Sequence, residues 1–420
     1  MPPTANNSKP TLPTSPSPSP STSASTSAFR GLPSVVWTIF AGTIVNRLGY
    51  LVTPFLVFFL ASRGVTGGDT SYVLGALGAG NLVGPAVGGV LADRIGRRPT
   101  MLIGLIGAAA AQGALFLAPG VWTMAAAALL ISAAGSTVSP AAYALLADAV
   151  DSERRRRAYA LFGWGVNIGT AVAGVLGGYL AAQGYWLLFA VDAGSMLLYA
   201  LVVAVRVPEP KREAGRKQQK DGIGYGVVAR DRLAMLLLPL FGVQLFVYSL
   251  TEVALPLAVR DSGLSPAVYG AMAAVNAIMV VALQPFATAW LSRFPQLAVQ
   301  SAGSALIALG VAATGLADSI AGYTASVVLW SLGEVVVAGI AAGLFANLAP
   351  AHARGRYQGA FSWTWGVARF GALTLGVTTY TNLGPTTLWW TALAAGTATA
   401  AATLTLKARI ETRTAQEPAA

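Results

Sequence analysis

Five ionisable side chains interrupt long apolar stretches of this chain: Arg47, Asp192, Glu252, Glu334 and Arg369. Such a group costs roughly 2.5 to 3.5 kcal/mol at the centre of a bilayer on insertion scales, so it faces a cavity or a partner. Glu252 and Glu334 are the candidates for chemistry. A carboxylate in a low-dielectric site can take up and release a proton near neutral pH, and Arg47 and Arg369 can pair with it in one conformation and leave it in another. A purely structural pairing is the alternative. Asp192, in VDAGSM, is expected to be a hydrogen-bonded packing residue. Other chemistry lacks its residues: there is no cysteine and a single histidine, His352. That removes disulfides, thiolate metal sites and cysteine nucleophiles, and leaves no cluster for zinc or haem. Neither a catalytic triad nor a phosphate-binding glycine loop is found. No enzyme activity, cofactor or metal is therefore expected, and His352, in APAHARGR, reads as a solvated loop residue.

The elements that must position these groups are membrane spans. Of 420 residues, 55% are hydrophobic and 10% charged, with a mean hydropathy of +0.62. Globular proteins carry about a quarter charged residues, so a soluble enzyme is excluded. A spanning helix needs about 20 apolar residues. Apolar runs of that order lie at 34–61, 71–92, 100–118, 121–147, 159–182, 185–207, 232–260, 266–291, 298–317, 320–348, 358–382 and 387–407, which makes twelve. Residues 1–33 are rich in Pro, Ser, Thr and Ala and form a disordered tail without the pattern of a signal peptide.

With both termini inside, 23 of the 27 basic residues fall in cytoplasmic segments, two (Arg63 and Arg260) fall outside and two lie within spans. The positive-inside rule fixes this orientation, giving a multi-pass protein of the cell membrane with both ends cytoplasmic. The formal charge of +11 is then accounted for by loops facing an anionic inner leaflet, with no nucleic acid.

The polar stretch 208–231 is a cytoplasmic linker between a six-helix bundle at 34–207 and a second at 232–407, followed by a tail at 408–420. A repeat supports the division. The segment from Ala147, ADAVDSERRRRAYALFGW, aligns without gaps to the one from Ala346, ANLAPAHARGRYQGAFSW, at an offset of 199 residues. Arg155 meets Arg354, Phe162 meets Phe361 and Trp164 meets Trp363. Spans four to five thus correspond to spans ten to eleven, as in transporters built from parallel repeats.

At the inner end of span two the sequence reads GGVLADRIGRRP. Its glycines permit close helix approach. Asp93 can accept amides at the start of span three, and Arg97 can reach Asp148 at the inner end of span four. Such a clasp would hold the inner side shut while the outer side is open. The plainer reading is that these charges retain a short loop in the cytoplasm. The segment resembles the signature of the major facilitator superfamily, G-x-L-x-D-x-x-G-R-[RK], matched by Gly89, Leu91, Asp93, Gly96, Arg97 and Arg98. The corresponding loop of the second half, WLSRFP, has Ser292 opposite Asp93 and Gln296 opposite Arg97, so the clasp there is weaker.

The resemblance implies an all-helical fold of twelve transmembrane helices in two pseudo-symmetric six-helix bundles. It also implies secondary transport by alternating access, similar to the drug:proton antiporter branch. Two departures weigh against export by proton exchange. The antiporter motif of span five becomes GTAVAGVLGG, with Ala173 and Gly174 in place of Gly-Pro, while span two carries the intact letters as GNLVGPAVGG. Span four has no basic residue between Val121 and Ala147; Ile131 stands where many relatives carry arginine.

Trp164, Asn167, Gln244, Asn276, Gln284, Trp363 and Trp365 fall on spans expected to line the central cavity or its rim, although tryptophan is also common at membrane interfaces. An apolar cavity with few polar groups suits hydrophobic or amphipathic compounds. The expected activity is efflux of such small molecules in exchange for protons, by a monomer. The alternatives are a proton-coupled uptake carrier for a small nutrient, or a non-transporting sensor or scaffold.

Overall fold

The computed structural model describes residues 32–150, 152–208, 226–338, 340–350, 353–408 and 410. Helices account for nearly all of them, and no strand occurs among the described residues. They join into twelve rods. Those of the first half are α1 (Ser34–Leu48 continuing as Val52–Ser62), α2 (Gly68–Arg94), α3 (Arg97–Leu117), α4 (Val121–Ser136 continuing as Val138–Ala149), α5 (Ser152–Gln183) and α6 (Tyr185–Arg206). The second half holds α7 (Arg232–Asp261), α8 (Pro266–Leu291), α9 (Gln296–Ala313), α10 (Ile320–Val337 continuing as Ile340–Leu348), α11 (Arg354–Gly371, extended by π-turns Ala372–Gly376 and Thr379–Leu383) and α12 (Pro385–Thr405). Among the described residues, nine helices are long and apolar enough to cross a membrane.

The ends of these rods follow local chemistry. Gly96, between α2 and α3, has φ +108° and ψ 163°, a region essentially reserved to glycine that costs other residues roughly 1–3 kcal/mol; it lets the chain reverse between Arg94 and Arg97. Asp231 caps α7 by accepting the amides of Leu233 and Ala234 at 3.0 and 3.4 Å, and it also accepts the Tyr357 hydroxyl from α11. Ser319 accepts the Gly322 amide and caps α10, while Pro266 and Pro385 open α8 and α12, where a missing N–H leaves nothing unpaired.

The two halves repeat one design. The fourth helix of each is interrupted near its middle: α4 by a single turn residue, Thr137, that keeps helical angles, and α10 at Ala338, where ψ swings to 120°. Phe162 packs on Tyr143 at 4.8 Å between ring centres, and its counterpart Phe361 stacks on Phe345 at 5.1 Å.

Apolar packing is divided unequally along the bundle. Toward the end that carries Val65 and Leu264, one core is shared by both halves and includes Phe55, Phe58, Leu74, Leu250, Tyr269, Leu373 and Trp389. Toward the end that carries Leu32 and Ile410 there are two separate cores. One is built from α1, α3, α4, α5 and α6 around Met101, Leu146 and Tyr199, and the other from α7, α10 and α11 around Phe241, Phe345 and Tyr357. Described contacts across the halves run from Ser71 and Thr381, whose hydroxyls are 3.4 Å apart, to Leu82 against Gly366. The closest approach is α5 on α8: a Cβ on Gly270 would lie 2.6 Å from the Gly174 carbonyl oxygen and 2.9 Å from the Gly178 Cα. Gly174 and Gly178 of GTAVAGVLGG are thus contact points between the halves, while Gly169 and Gly177 pack on Arg47 and Phe55 of α1.

Candidate transport site

Between the halves lies a cavity of about 290 Å³ whose lining includes Arg47, Tyr50, Tyr248, Glu252, Tyr269, Asn276, Trp330 and Arg369. Its walls come from α1, α7, α8, α10 and α11, with Leu74 and Leu77 of α2 and Ala173 and Gly174 of α5 supplying apolar surface. Five aromatic side chains, Phe55 among them, and a handful of polar groups give it an amphipathic interior.

Two carboxylates approach this space from different layers. Glu252 lines the cavity, and its Oε2 lies 2.8 Å from Nη2 of Arg369. The α7 and α11 spans are thereby joined by an ion pair open to the cavity. Glu334 stands one layer behind the wall, half-buried, and accepts hydrogen bonds from the Tyr248 hydroxyl at 2.8 Å and from Asn276 Nδ2 at 2.7 Å. Asn276 also donates to Ser331 at 3.0 Å. Three helices, α7, α8 and α10, therefore meet at one carboxylate. Tyr248 and Asn276 belong to the cavity wall, so a change in the charge of Glu334 is transmitted to the surface that a solute would touch.

Arg47 does not meet either glutamate. Its guanidinium lies over the Tyr50 ring, 5.4 Å from the centroid, and faces the cavity from the first half. Asp192 is fully buried, and its Oδ2 accepts the amides of Leu51 and Val52 at 3.1 and 3.0 Å. These amides are exposed by the break in α1, so Asp192 caps the second segment of that helix.

The remaining expected cavity residues are dispersed. Gln244 is buried among α7, α9 and α12. It donates to Thr403 at 3.1 Å and accepts from Ser304 at 2.8 Å and Gln300 at 3.3 Å, so it ties helices together behind the wall. Trp363 is 65% exposed and lies outside the cavity lining, as does the half-buried Gln284. Trp365 touches the edge of Tyr248, with ring centres 6.3 Å apart, and so backs the wall. Trp164 and Asn167 lie on α5, but their side chains, like the whole of His352, fall outside what the structure describes.

At the turn between α2 and α3, Arg98 donates to the Ala204 carbonyl at the end of α6. A Cβ on Gly89 would meet open space. The side chains of Asp93 and Asp148 lie outside the described residues, while Arg97 is half-buried and engaged with neighbours.

Sequence reasoning missed Tyr50, Tyr248, Tyr269 and Trp330. Tyr248 and Glu252 are four positions apart in the sequence, which places both on one face of a helix; that spacing was the available signal.

The model of the Major Facilitator Superfamily matches residues 38–373. An uncharacterised MFS-type transporter, YqjV of Bacillus subtilis (strain 168), is 24% identical over 346 residues, covering 80% of this chain and 84% of its own length. The multidrug resistance protein MdtH of Cronobacter sakazakii is 28% identical over 289 residues, 68% of this chain and 71% of that protein. Among solved structures, a POT family transporter in complex with 5-aminolevulinic acid superposes with a TM-score of 0.74 at 15% identity, covering 91% of this chain and 98% of that one. A D-xylose-proton symporter superposes at 0.69 and 14% identity, covering 88% and 96%. These structural likenesses establish the fold, and the match across residues 38–373 establishes the family: this multi-pass membrane protein belongs to the Major Facilitator Superfamily.

Proposed function

We propose that the chain is a proton-coupled exporter of hydrophobic or amphipathic small molecules, working by alternating access in the cell membrane with both termini in the cytoplasm. The observation that carries this reading is the joint placement of a cavity-facing ion pair, Glu252 with Arg369, and a second carboxylate, Glu334, held by two residues of the same wall. A proton on Glu252 removes the charge that holds Arg369. A proton on Glu334 alters the hydrogen bonds of Tyr248 and Asn276. Either event changes the shape and charge of the solute site, which is the differential interaction that coupling requires.

The shared core at one end and the two separate cores at the other support a state sealed on one side of the membrane. With the 23-to-2 distribution of basic residues, the sealed side is extracellular and the conformation is inward-facing. Sequence kinship with MdtH, a multidrug resistance protein, and an aromatic cavity favour lipophilic solutes over sugars.

The test is transport by the purified chain in proteoliposomes under an imposed pH gradient, followed with a lipophilic fluorescent dye. Dye movement against its gradient, driven by inward proton flow and abolished in the Glu252→Gln/Glu334→Gln double variant, is expected. Movement that survives both substitutions removes the coupling assignment. Solute accumulation in the direction of proton flow identifies an uptake carrier instead.

A further inference from the structure

Tyr269 of α8 belongs both to the solute cavity and to the packing that seals it. Its ring lines the cavity together with Phe55, and it packs on two rings of α1 in the other half. The Tyr269 and Phe55 ring centres are 5.4 Å apart at 74°, an edge contact, and the Phe58 centre is 6.1 Å away. All three side chains are buried, with exposures of 7%, 1% and 4%. Phe58 follows Phe55 along α1 toward Val65, so the trio lies between the cavity and the sealed end. Aromatic pairs in edge and tilted geometry stabilise a contact beyond the apolar area that they bury. These rings therefore help to hold the halves together at that end.

The hydroxyl of the same residue has different neighbours. It makes no hydrogen bond among the described residues, and it is not one of the buried polar atoms cut off from solvent. The charged and titratable groups that face it are Glu252 of α7, Arg369 of α11 and Tyr50 of α1, all on the cavity lining. Glu252 is faced in turn by Arg369, Tyr248 and Glu334. Between apolar walls a charge acts on a nearby dipole with less screening than in water. An ionised Glu252 attracts the hydroxyl hydrogen of Tyr269 and holds the ring in its seat. Without that charge, Arg369 loses its partner and repels the same hydrogen.

The backbone limits what else can move. Gly270, the next residue, leaves no room for a Cβ against Gly174 and Gly178, and a Cβ on Gly178 would lie 3.1 Å from the Cα of Ala267. Helix α8 thus meets α5 on both sides of Tyr269, and the ring is the part of this contact that a change of charge can shift. Coupling between two sites requires an element with two arrangements that both sites bias. We propose that Tyr269 is the positioning residue that carries the charge state of Glu252 to the seal, its hydroxyl answering to the cavity and its ring holding α8 against Phe55 and Phe58 of α1. With Glu252 ionised the ring is seated and the end is shut; with Glu252 neutral the ring is released and the halves can part there. This role rests on the proposed function in one respect, that Glu252 gains and loses a proton.

The experiment follows the seal in the purified full chain at fixed pH, without solute or gradient. Cysteines placed at Ser71 and Thr381, whose hydroxyls are 3.4 Å apart across the halves, report closure through their rate of oxidative crosslinking, and thermal unfolding is recorded for each variant. Glu252→Gln is expected to lower the crosslinking rate by about tenfold or more, an equilibrium shift of roughly 1.4 kcal/mol. Tyr269→Phe keeps the ring and is expected to leave the unfolding temperature nearly unchanged. It is expected to lower the crosslinking rate in the same direction and to leave Glu252→Gln without further effect, so that the two substitutions are non-additive. Tyr380→Phe removes a hydroxyl bonded to Asp261 and is expected to leave the effect of Glu252→Gln intact. A Glu252→Gln effect of equal size with and without Tyr269→Phe overturns the assignment. So does a rate that Glu252→Gln does not change, or a Tyr380→Phe variant that removes the effect as fully as Tyr269→Phe. A marked loss of thermal stability with Tyr269→Phe makes the hydroxyl structural and overturns it as well. Because no solute is involved, failure here is distinguishable from failure of the export reading, which rests on dye movement.

Discussion

Arg369 Nη2 lies 2.8 Å from Glu252 Oε2, and both side chains remain partly open to the cavity between the halves. The pair closes a contact between α7 and α11 at the point where the latter gives way to π-turns, which begin at Ala372; such turns recur at functional sites. Partial exposure keeps the contribution to stability small, about 1 kcal/mol or less. Arg369→Met is therefore expected to leave the unfolding temperature nearly unchanged while reducing proton-driven dye transport by about tenfold or more, the equivalent of roughly 1.4 kcal/mol in the barrier. A parallel loss of fold, read by thermal unfolding, would make the pair structural.

Glu334 depends on two neutral donors, Tyr248 and Asn276. Removing one partner of a hydrogen bond to a charged group costs about 1.5–3 kcal/mol. Tyr248→Phe and Asn276→Leu are each expected to lower stability within that range, and the loss is expected to shrink in a Glu334→Gln background. A double-mutant cycle on denaturation midpoints checks the coupling; strict additivity contradicts the shared site.

Ser71 and Thr381 bring their hydroxyls to 3.4 Å across the sealed end. The chain has no cysteine of its own, so Ser71→Cys with Thr381→Cys supplies the only thiols. Mild oxidation is expected to join them and stop transport, and a reductant to restore it. Crosslinking that leaves transport intact would mean that this end never opens.

Gly270 admits no side chain without displacing the backbone of α5 at Gly174 and Gly178. Gly270→Val is expected to force the halves apart at the sealed end and to lower the rate of Ser71/Thr381 crosslinking by about tenfold or more, an equilibrium shift of roughly 1.4 kcal/mol. An unchanged rate indicates that α5 and α8 absorb the added volume.

Gln244 binds Thr403, Gln300 and Ser304 behind the cavity wall. Gln244→Leu is expected to cost about 1–3 kcal/mol of stability by leaving buried partners unpaired, without altering the affinity for a dye measured by tryptophan quenching. Weakened dye binding at unchanged stability would return Gln244 to the solute site.

Chain sequence alone determined the apolar spans and the identity of the ionisable residues within them. Each of these is a local property: an apolar run of sufficient length must cross, and a charge inside it is expensive wherever it points. Tertiary structure decided which charges meet. Arg369 rather than Arg47 pairs with Glu252, Glu334 is held by neutral donors, Asp192 caps a broken helix, and Gln244 and Trp363 turn away from the cavity. The reason is that a helix apolar on all sides carries no stripe to say which face turns inward. Its rotation is set by small-residue contacts with its neighbours, such as Gly270 on Gly174 and Gly178, and those contacts exist only once the halves have assembled.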